Sequence, residues 1–555
     1  MSNEAGGNSW AGNPVSFADA REIVPGSVLE SEVLIVGGGA AGITLARALA
    51  ARGFAVLLAE AGDWRPDAAT QALYDLDCVG YPLRPNHMSR AREFGGSCNL
   101  WAGRAMRLQP LDFAARPWVP ESGWPIPAAE IERYLDAVAA ILELPGGADA
   151  FSLAAWHHHL GAAERQLLEA GPFAPAISLW ARRPKRFARA YQRELAQSPK
   201  IRVLLRANAV RLRLAADGRQ IAAVDFATLE GRRLTVAARL VVLAMGGLEI
   251  PRLLLWSDRL DPRLLGPRRA LVGRFFMDHP RTAFGRVVLR GDASLPLMRT
   301  WPVAGGKVQL GLALSAELQQ REGLLNHYAT FEEEGSAYAE AHWHLALELG
   351  KVILRRGHAG SRLDLGRVRQ APRVEHLRYL LSPKELLPHD LWRFWRLLKE
   401  RLRRQRPEQR YIVVYFCEQP PAPESRVWLG EKLDALGVPR LVFDWRIPDA
   451  VHASLFRLQE EIGRALARSN LGRLEPGQGM PCYTDASHHM GTTRMHPDPQ
   501  RGVVDTDCRL HGTANLWIAS SSVFPTCGHA NPTLTILALV LRLAEHLAAL
   551  RHRLG

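Results

Sequence analysis

Cysteine is scarce and unpatterned in this chain. There are six in 555 residues (Cys78, Cys98, Cys417, Cys482, Cys508 and Cys527), and no two form a C-x-x-C pair. Neither a disulfide framework nor a zinc ribbon is therefore indicated. No run of about 18 uncharged apolar residues occurs, so no bilayer-spanning segment is expected. Residues 1–30 lack the basic start and apolar core of a secretory signal. Internal repeats and low-complexity tracts are missing too, which argues against a solenoid. These absences lead us to expect a soluble protein in a reducing cytoplasm. What is present is an ordinary globular balance, 47% hydrophobic and 23% charged, which excludes disordered and collagen-like chains. The length suits three or four domains, or two large interleaved ones.

A net charge of +14 raises nucleic acid or an anionic surface as partners. The charge is concentrated, however. Residues 351–410 hold 17 Lys and Arg against 6 Asp and Glu, a net of +11, which leaves +3 for the remainder. Within that segment Ser382-Pro383-Lys384-Glu385 reads as a capped helix start. Leu391, Trp395, Leu398 and Leu402 then form one stripe, flanked by Arg393, Arg396, Lys399 and Arg403. The first reading is a helix packed on its own domain with a solvated basic face. A peripheral membrane or acidic-partner contact is the second. No base-reading motif accompanies the charge, so nucleic acid is not an expected partner.

Chemistry enters at Glu32–Val36, an apolar run that predicts a strand. It is followed by a helix over Ala40–Arg52 and a second strand over Phe54–Ala59, a β-α-β unit. The intervening Gly37-Gly38-Gly39-Ala40-Ala41-Gly42 satisfies G-x-G-x-x-G. Gly37 permits the tight turn, Gly39 lets backbone approach a pyrophosphate, and Gly42 lets helix and strand pack closely. Glu60, 18 residues beyond Gly42, ends the second strand where a carboxylate can bond ribose hydroxyls. Dinucleotide binding follows, and an acid at that point disfavours NADP. Further on, Ile201–Leu214, Ile221–Leu229 and Arg233–Ala244 alternate between turn pairs, which predicts antiparallel strands joined by hairpins. Arg410–Phe416 reads as a strand and Pro532–His546 as an apolar helix.

Four motifs, in order, carry a resemblance. They are VLIVGGGAAG through LLAEAG, then EFGGSCNLWAGRAMRL (Glu93–Leu108) with SGWPI (Ser122–Ile126). Next come Ala244-Met245-Gly246-Gly247 running into Ile250-Pro251-Arg252-Leu253-Leu254. Last is the C-terminal block HHMGTTRM (His488–Met495), GVVDTDCRLHG, NLWIASSSVFPT and NPTLT (Asn531–Thr535). With these the chain resembles the glucose–methanol–choline (GMC) family of FAD-dependent oxidoreductases over nearly its whole length. EQPPAPESRV (Glu418–Val427) and LGVPRLVFDW (Leu436–Trp445) look like its sugar- and polyol-oxidising branch. Residues 281–480 are less well covered, and the basic 320–410 insert matches nothing.

The resemblance implies an α/β and α+β fold, with a Rossmann-like FAD-binding domain interleaved with a substrate domain built on an antiparallel sheet flanked by helices. The FAD domain would comprise 28–110, 200–280 and 500–555, and the substrate domain 111–199 and 281–499. Implied cofactor contacts are Gly37, Gly39, Ala41, Gly42, Glu60, Ala61, Gly95, Gly96, Ser97, Asn99, Leu100, Trp101, Ala209, Val210, Ala244, Gly246, Ser520, Asn531, Pro532 and Thr533. The implied catalytic pair is His488 as general base and Asn531 as partner to the substrate oxygen. Register against GTTRM favours His488 over its neighbour His489, since strand neighbours face opposite sides. His529 reads as a turn residue, and His496 and His511 as surface residues. No third and fourth ligand stands at metal-binding spacing beside the paired histidines, so no metal is expected.

Two departures matter. Leu100 occupies the position where several relatives carry a histidine linked to the flavin, so non-covalent FAD is expected. A thioether through Cys98 is the lesser alternative to a small buried side chain. Ser520 stands where relatives often have an acid. The implied function is oxidation of a hydroxyl of a sugar, polyol, glycoside or aminoglycoside-like substrate to a carbonyl, by hydride transfer to flavin N5. Oxygen, a quinone or a partner protein would take the electrons, and the 351–410 region is a candidate dock for an acidic acceptor. The same fold also hosts hydroxynitrile lyases, which keep FAD without reducing it, and this is the alternative reading.

Overall fold

The computed structural model describes residues 16–84, 86–291, 293–333 and 409–554. The capped start at Ser382 and nearly all of the basic 351–410 segment lie outside them.

The first sheet grows from Val28–Val36 (β1), whose last four residues are buried. Gly39 caps the following helix Ala40–Ala50 (α1), which turns Ile43, Leu45, Ala46 and Leu49 inward. Val56–Ala59 (β2), buried along its length, returns parallel to β1. The sheet runs Phe17–Asp19, Ile201–Leu205, β2, β1, Arg233–Leu243, Ile221–Ala227, Asn208–Leu214, with Leu516–Ile518 also paired to Arg233–Leu243. Pairing is parallel from Phe17–Asp19 as far as Arg233–Leu243, and Leu516–Ile518 joins that strand in parallel. The last two strands are antiparallel.

The Ile201–Leu214 expectation needs correction. Arg206 at φ 60° ends the run after Leu205, and Ile201–Leu205 pairs parallel with β2. Only Asn208–Leu214, Ile221–Ala227 and Arg233–Leu243 form the expected antiparallel meander. The two-residue period is the same in both kinds of sheet, so alternation alone does not separate them.

The second sheet is antiparallel and orders Gly472–Glu475, Arg281–Leu289, Arg410–Phe416, Tyr328–Glu333, Gly306–Leu314, Phe173–Ala181 and Arg104–Ala105. A third, three-stranded sheet joins Arg426–Leu433 and Pro439–Asp444 to Leu76–Cys78. The C-terminal helix extends past the expected His546, over Pro532–Leu554. By length and composition alone it is long and apolar enough to cross a membrane. It packs instead on α1 and buries Leu534, Leu537, Ala538, Val540, Leu543, Ala544 and Leu547, as a core helix does.

Candidate active site

A cavity of about 970 Å³ lies between the two large sheets, within the range of cofactor and ligand sites. Val36, Ala59, Ala244 and Ala519 line it. Each stands at or just past the carboxyl end of a parallel strand, where ligands of open α/β sheets bind. Trp180, Gln309, Thr330 and Phe416 of the second sheet form the facing wall.

The nucleotide end is built by close backbone approach. Gly37 has φ 110°, and a Cβ there would stand 2.5 Å from the Ala244 carbonyl oxygen. At Gly42 a Cβ would fall 1.9 Å from the Gly37 carbonyl oxygen. A Cβ at Gly39 meets no protein atom closer than 3.8 Å, and Gly39 lines the cavity. Helix α1 begins there with no side-chain cap and no acid in its first turn, so its N–H groups and positive dipole end suit a pyrophosphate. Glu60 ties the turn to β2 by accepting the N–H groups of Gly38 (2.7 Å) and Gly62 (2.8 Å). Burial pushes its carboxyl up, and these N–H groups oppose the shift.

The second glycine-rich loop docks on the first. Gly95 donates its N–H to the Gly38 carbonyl at 2.8 Å, and a Cβ on Gly96 would stand 2.9 Å from the Gly39 Cα. Of the implied contacts, Gly37, Gly39, Ala41, Glu60, Ala61, Gly96, Ser97, Leu100, Trp101, Ala209, Ala244, Gly246, Ser520, Asn531, Pro532 and Thr533 line the cavity. Four do not. Gly42 packs inside the β-α unit, as its close approach requires. Gly95 sits behind the loop, a Cβ there meeting Asn99 Oδ1 at 2.8 Å. Asn99 folds back, donating to Glu93 Oε1 (2.9 Å) and the Phe94 carbonyl (3.0 Å). Val210 alternates with Ala209 along its strand and packs with Ala227 and Val438. The Cys98 thiol, which lines the cavity, is pushed up to about 12 by burial, with Arg186 opposing.

At the other end the half-buried His488 meets Asn531. Asn531 Nδ2 is 3.2 Å from His488 Nε2, and His488 Nδ1 is 2.8 Å from Nδ1 of the fully buried His279. His279 Nε2 is in turn 3.5 Å from the Cys527 carbonyl. One protonation pattern satisfies every link. The carbonyl accepts from His279 Nε2–H, His279 Nδ1 accepts from His488 Nδ1–H, and His488 Nε2 keeps its lone pair toward the Asn531 amide. Burial, then His279, His489, Arg104 and Arg84, hold His488 well below its ordinary value, so it is neutral. His279 is lowered to about 4 by burial.

His489 also lines the cavity. Its ring lies against Phe276 (centroids 5.9 Å apart), and burial and then Arg90 lower it to about 3. His529 is buried, with Nδ1 3.0 Å from the Asn326 carbonyl. His496 and His511 are paired locally, His511 Nε2 lying 2.8 Å from the His496 carbonyl.

Sequence reasoning missed His279 and Asp278. Asp278 accepts the N–H groups of His279 (2.6 Å), Ala486 (3.1 Å) and His488 (3.1 Å), fixing one histidine backbone against the other. Burial and then the Asp485 carboxylate push Asp278 well up. Asp278, Asp485 and His489 hold potential ligand atoms within 4.8 Å of one another. Both carboxylates are engaged: Asp485 accepts the Arg84 N–H (2.7 Å) and the Ser487 hydroxyl (3.0 Å). Glu418 is also structural. Buried against Arg116, it accepts the Asn326 N–H at 2.7 Å, while Asn326 Nδ2 donates to Asp112 at 2.8 Å and the Asp112 carbonyl accepts Thr526 Oγ1 at 2.6 Å. This network braces the Thr526–Asn531 loop.

Comparison with known proteins fits this geometry. The family described as "GMC oxidoreductase" matches residues 421–539, and "FAD dependent oxidoreductase" matches residues 32–302. The fructose dehydrogenase large subunit of Gluconobacter japonicus is 27% identical over 61% of this chain and 52% of that subunit. The 6'''-hydroxyparomomycin C oxidase of Streptomyces lividus is 38% identical over 23% of this chain and 24% of that enzyme. The chain thus spans about half or less of these curated relatives. In fold it is similar to pyridoxine 4-oxidase from Mesorbium loti, with a TM-score of 0.52 at 19% identity, covering 93% of this chain and 99% of that one. The turn at Gly37 falls inside the FAD dependent oxidoreductase match and the block ending at Thr535 inside the GMC oxidoreductase match, so the chain carries an FAD-dependent oxidoreductase domain and a GMC oxidoreductase C-terminal domain, with FAD as cofactor.

Proposed function

We propose that this chain oxidises a hydroxyl group of a sugar-like substrate to a carbonyl. The observation that carries this reading is the His488–Asn531 pair, with the lone pair of His488 Nε2 set by His279 behind it. FAD, when bound, supplies the acceptor for the hydride that leaves the alcohol carbon. The cradle from Gly37 to Ala61 would hold its nucleotide half, and the loop at Gly96–Trp101 with Asn531–Thr533 would flank its ring half. His488 Nε2 takes the hydroxyl proton, which a neutral imidazole does well near neutral pH. Asn531 Nδ2 donates to the substrate oxygen and fixes the carbon's orientation. The relatives' names, a fructose dehydrogenase and an oxidase acting on 6'''-hydroxyparomomycin C, support a carbohydrate hydroxyl.

We read the FAD as non-covalent, because Leu100 offers no nucleophile and burial keeps the Cys98 thiol protonated. Acid precipitation should therefore leave the yellow colour in the supernatant. The function itself is tested by anaerobic titration of the purified protein with sugars and polyols. Bleaching of the flavin band by one of them supports oxidation, and admitting air then separates oxygen from a quinone or protein acceptor. His488→Ala should abolish bleaching with FAD still bound. Persistent yellow colour with every sugar and polyol would refute the reading.

A further inference from the structure

Around His488 the cavity wall is rich in arginine. Arg84, Arg104, Arg281 and Arg299 line it together with Glu332. Arg104 makes no contact ion pair with a carboxylate among the described residues, although the Glu332 charge acts on it from further off. Its Nε and Nη2 donate to Ser178 Oγ (3.0 and 2.8 Å), and Nη2 donates to Gln309 Oε1 (3.2 Å). Its guanidinium stacks 4.8 Å from the Phe416 ring and 5.0 Å from Trp180. Arg281 lies 5.2 Å from the same Phe416 ring and reaches Glu332 only at 3.5 Å, with both side chains about a third exposed. Arg84 contacts Asp485 at 3.8 Å and is likewise partly open.

Among the described residues the counter-charges are Asp485 beside Arg84 and Glu332 beside Arg281, while Asp278 is pushed toward its neutral form. The cofactor phosphates do not explain the cluster, because they are served by the start of α1 at the nucleotide end. Arg84, Arg104 and Arg281 line this end against two paired carboxylates among the described residues, and the excess of positive charge makes a site for an anion. Arginine forks match planar oxyanions in particular.

We infer that the substrate is a carbohydrate bearing an oxyanion, a carboxylate or a phosphate ester, gripped by Arg84, Arg104 and Arg281 while its hydroxyl meets His488 and Asn531. The inference rests on the alcohol-oxidising reading above and narrows it. An amine-bearing sugar, by contrast, would be repelled by the same arginines, which sets this site apart from an aminoglycoside-oxidising one.

The test is a panel on the flavin-loaded enzyme: gluconate and glucuronate, glucose 6-phosphate, glucose and glucitol, and glucosamine. Anaerobic bleaching gives kcat/KM, and calorimetry gives Kd independently of turnover. One or both anionic arms should exceed the neutral arm about 10- to 100-fold in kcat/KM, the range set by one or two charged hydrogen bonds. The carboxylate and phosphate arms tell the two sources apart. Arg281→Gln and Arg84→Gln, at partly exposed positions, should each cut the anion-to-neutral ratio about tenfold and weaken anion Kd to match. Neutral sugars bleaching as well as the anions, or ratios unmoved in both variants, overturn the inference and leave the alcohol-oxidising reading standing. No bleaching by any arm removes that reading and this inference with it.

Discussion

The link between the buried His279 and the half-buried His488 gives the sharpest prediction. Replacing His279 with Ala removes the acceptor of the His488 Nδ1–H, a 2.8 Å bond beside a side chain that is 0% exposed. A buried donor left without a partner costs about 1–3 kcal/mol. The imidazole can escape that cost by moving its proton to Nε2, and the lone pair that faces Asn531 is then lost. At 1.36 kcal/mol per tenfold change in rate, that bias corresponds to a roughly 5- to 150-fold fall in the rate of flavin reduction. The loss lies below or at the low end of the ~10²–10⁴-fold expected for removing the base itself. Anaerobic stopped-flow bleaching measures it, with flavin content and Tm recorded alongside to separate misfolding. His279→Asn, whose side-chain oxygen can accept the same N–H, should recover part of the rate. A well-folded His279→Ala enzyme that bleaches at the parental rate, with an unchanged pH profile, would refute the tautomer argument.

Two further outcomes follow from packing. Glu418→Ala strands the buried Arg116 and should cost about 3–5 kcal/mol in denaturant unfolding, whereas the double change Arg116→Met with Glu418→Leu should return the part due to the stranded guanidinium and keep about 1–3 kcal/mol for the Asn326 N–H left without its acceptor. Equal losses in both would show that the pair is not what braces the Thr526–Asn531 loop. Gly42→Val places a side chain where a Cβ already stands 1.9 Å from the Gly37 carbonyl oxygen. It should lower the flavin-to-protein ratio and cost at least about 1–3 kcal/mol; full flavin occupancy with unchanged Tm would contradict the close-packing account.

How much of this was legible in the chain depends on whether the information was local. The β1–α1–β2 unit and its glycines were, because strand, turn and helix are contiguous and each glycine has a separate steric reason. His488 and Asn531 stand 43 residues apart and were reached through the resemblance, not through spacing. His279 was not reached at all. It precedes His488 by 209 residues and sits in Phe275-Phe276-Met277-Asp278-His279-Pro280, where an acid and a histidine closing an apolar run were the available signal. Val210 and Asn99 turn away from the cavity for a different reason. A motif places a segment against the cofactor, but strand alternation and the Glu93 hydrogen bond decide which side chain turns toward it. The Ile201–Leu205 strand failed because periodicity carries no strand direction.

In the proposed reaction, charge would tie His488 to its substrate. Arg104 and Arg84 are among the groups that lower His488, after burial, His279 and His489. In the free enzyme this keeps the imidazole neutral below its ordinary 6.5, ready to accept a proton but weakly basic. An oxyanion bound to those arginines cancels part of their field and raises the proton affinity of His488 once substrate is in place. A unit charge about 10 Å away contributes about 1.7 kcal/mol at an effective dielectric of about 20, which is a little over one pKa unit. The acid limb of kcat/KM reports the free enzyme and that of kcat the complex. With an anionic sugar, the kcat limb should therefore lie about one pH unit above the kcat/KM limb, while with a neutral sugar the two should nearly coincide. Full pH profiles of both constants with one anionic and one neutral substrate decide it. Coincident limbs for the anion would mean that its charge does not reach the base, and that the arginines act on something other than the substrate.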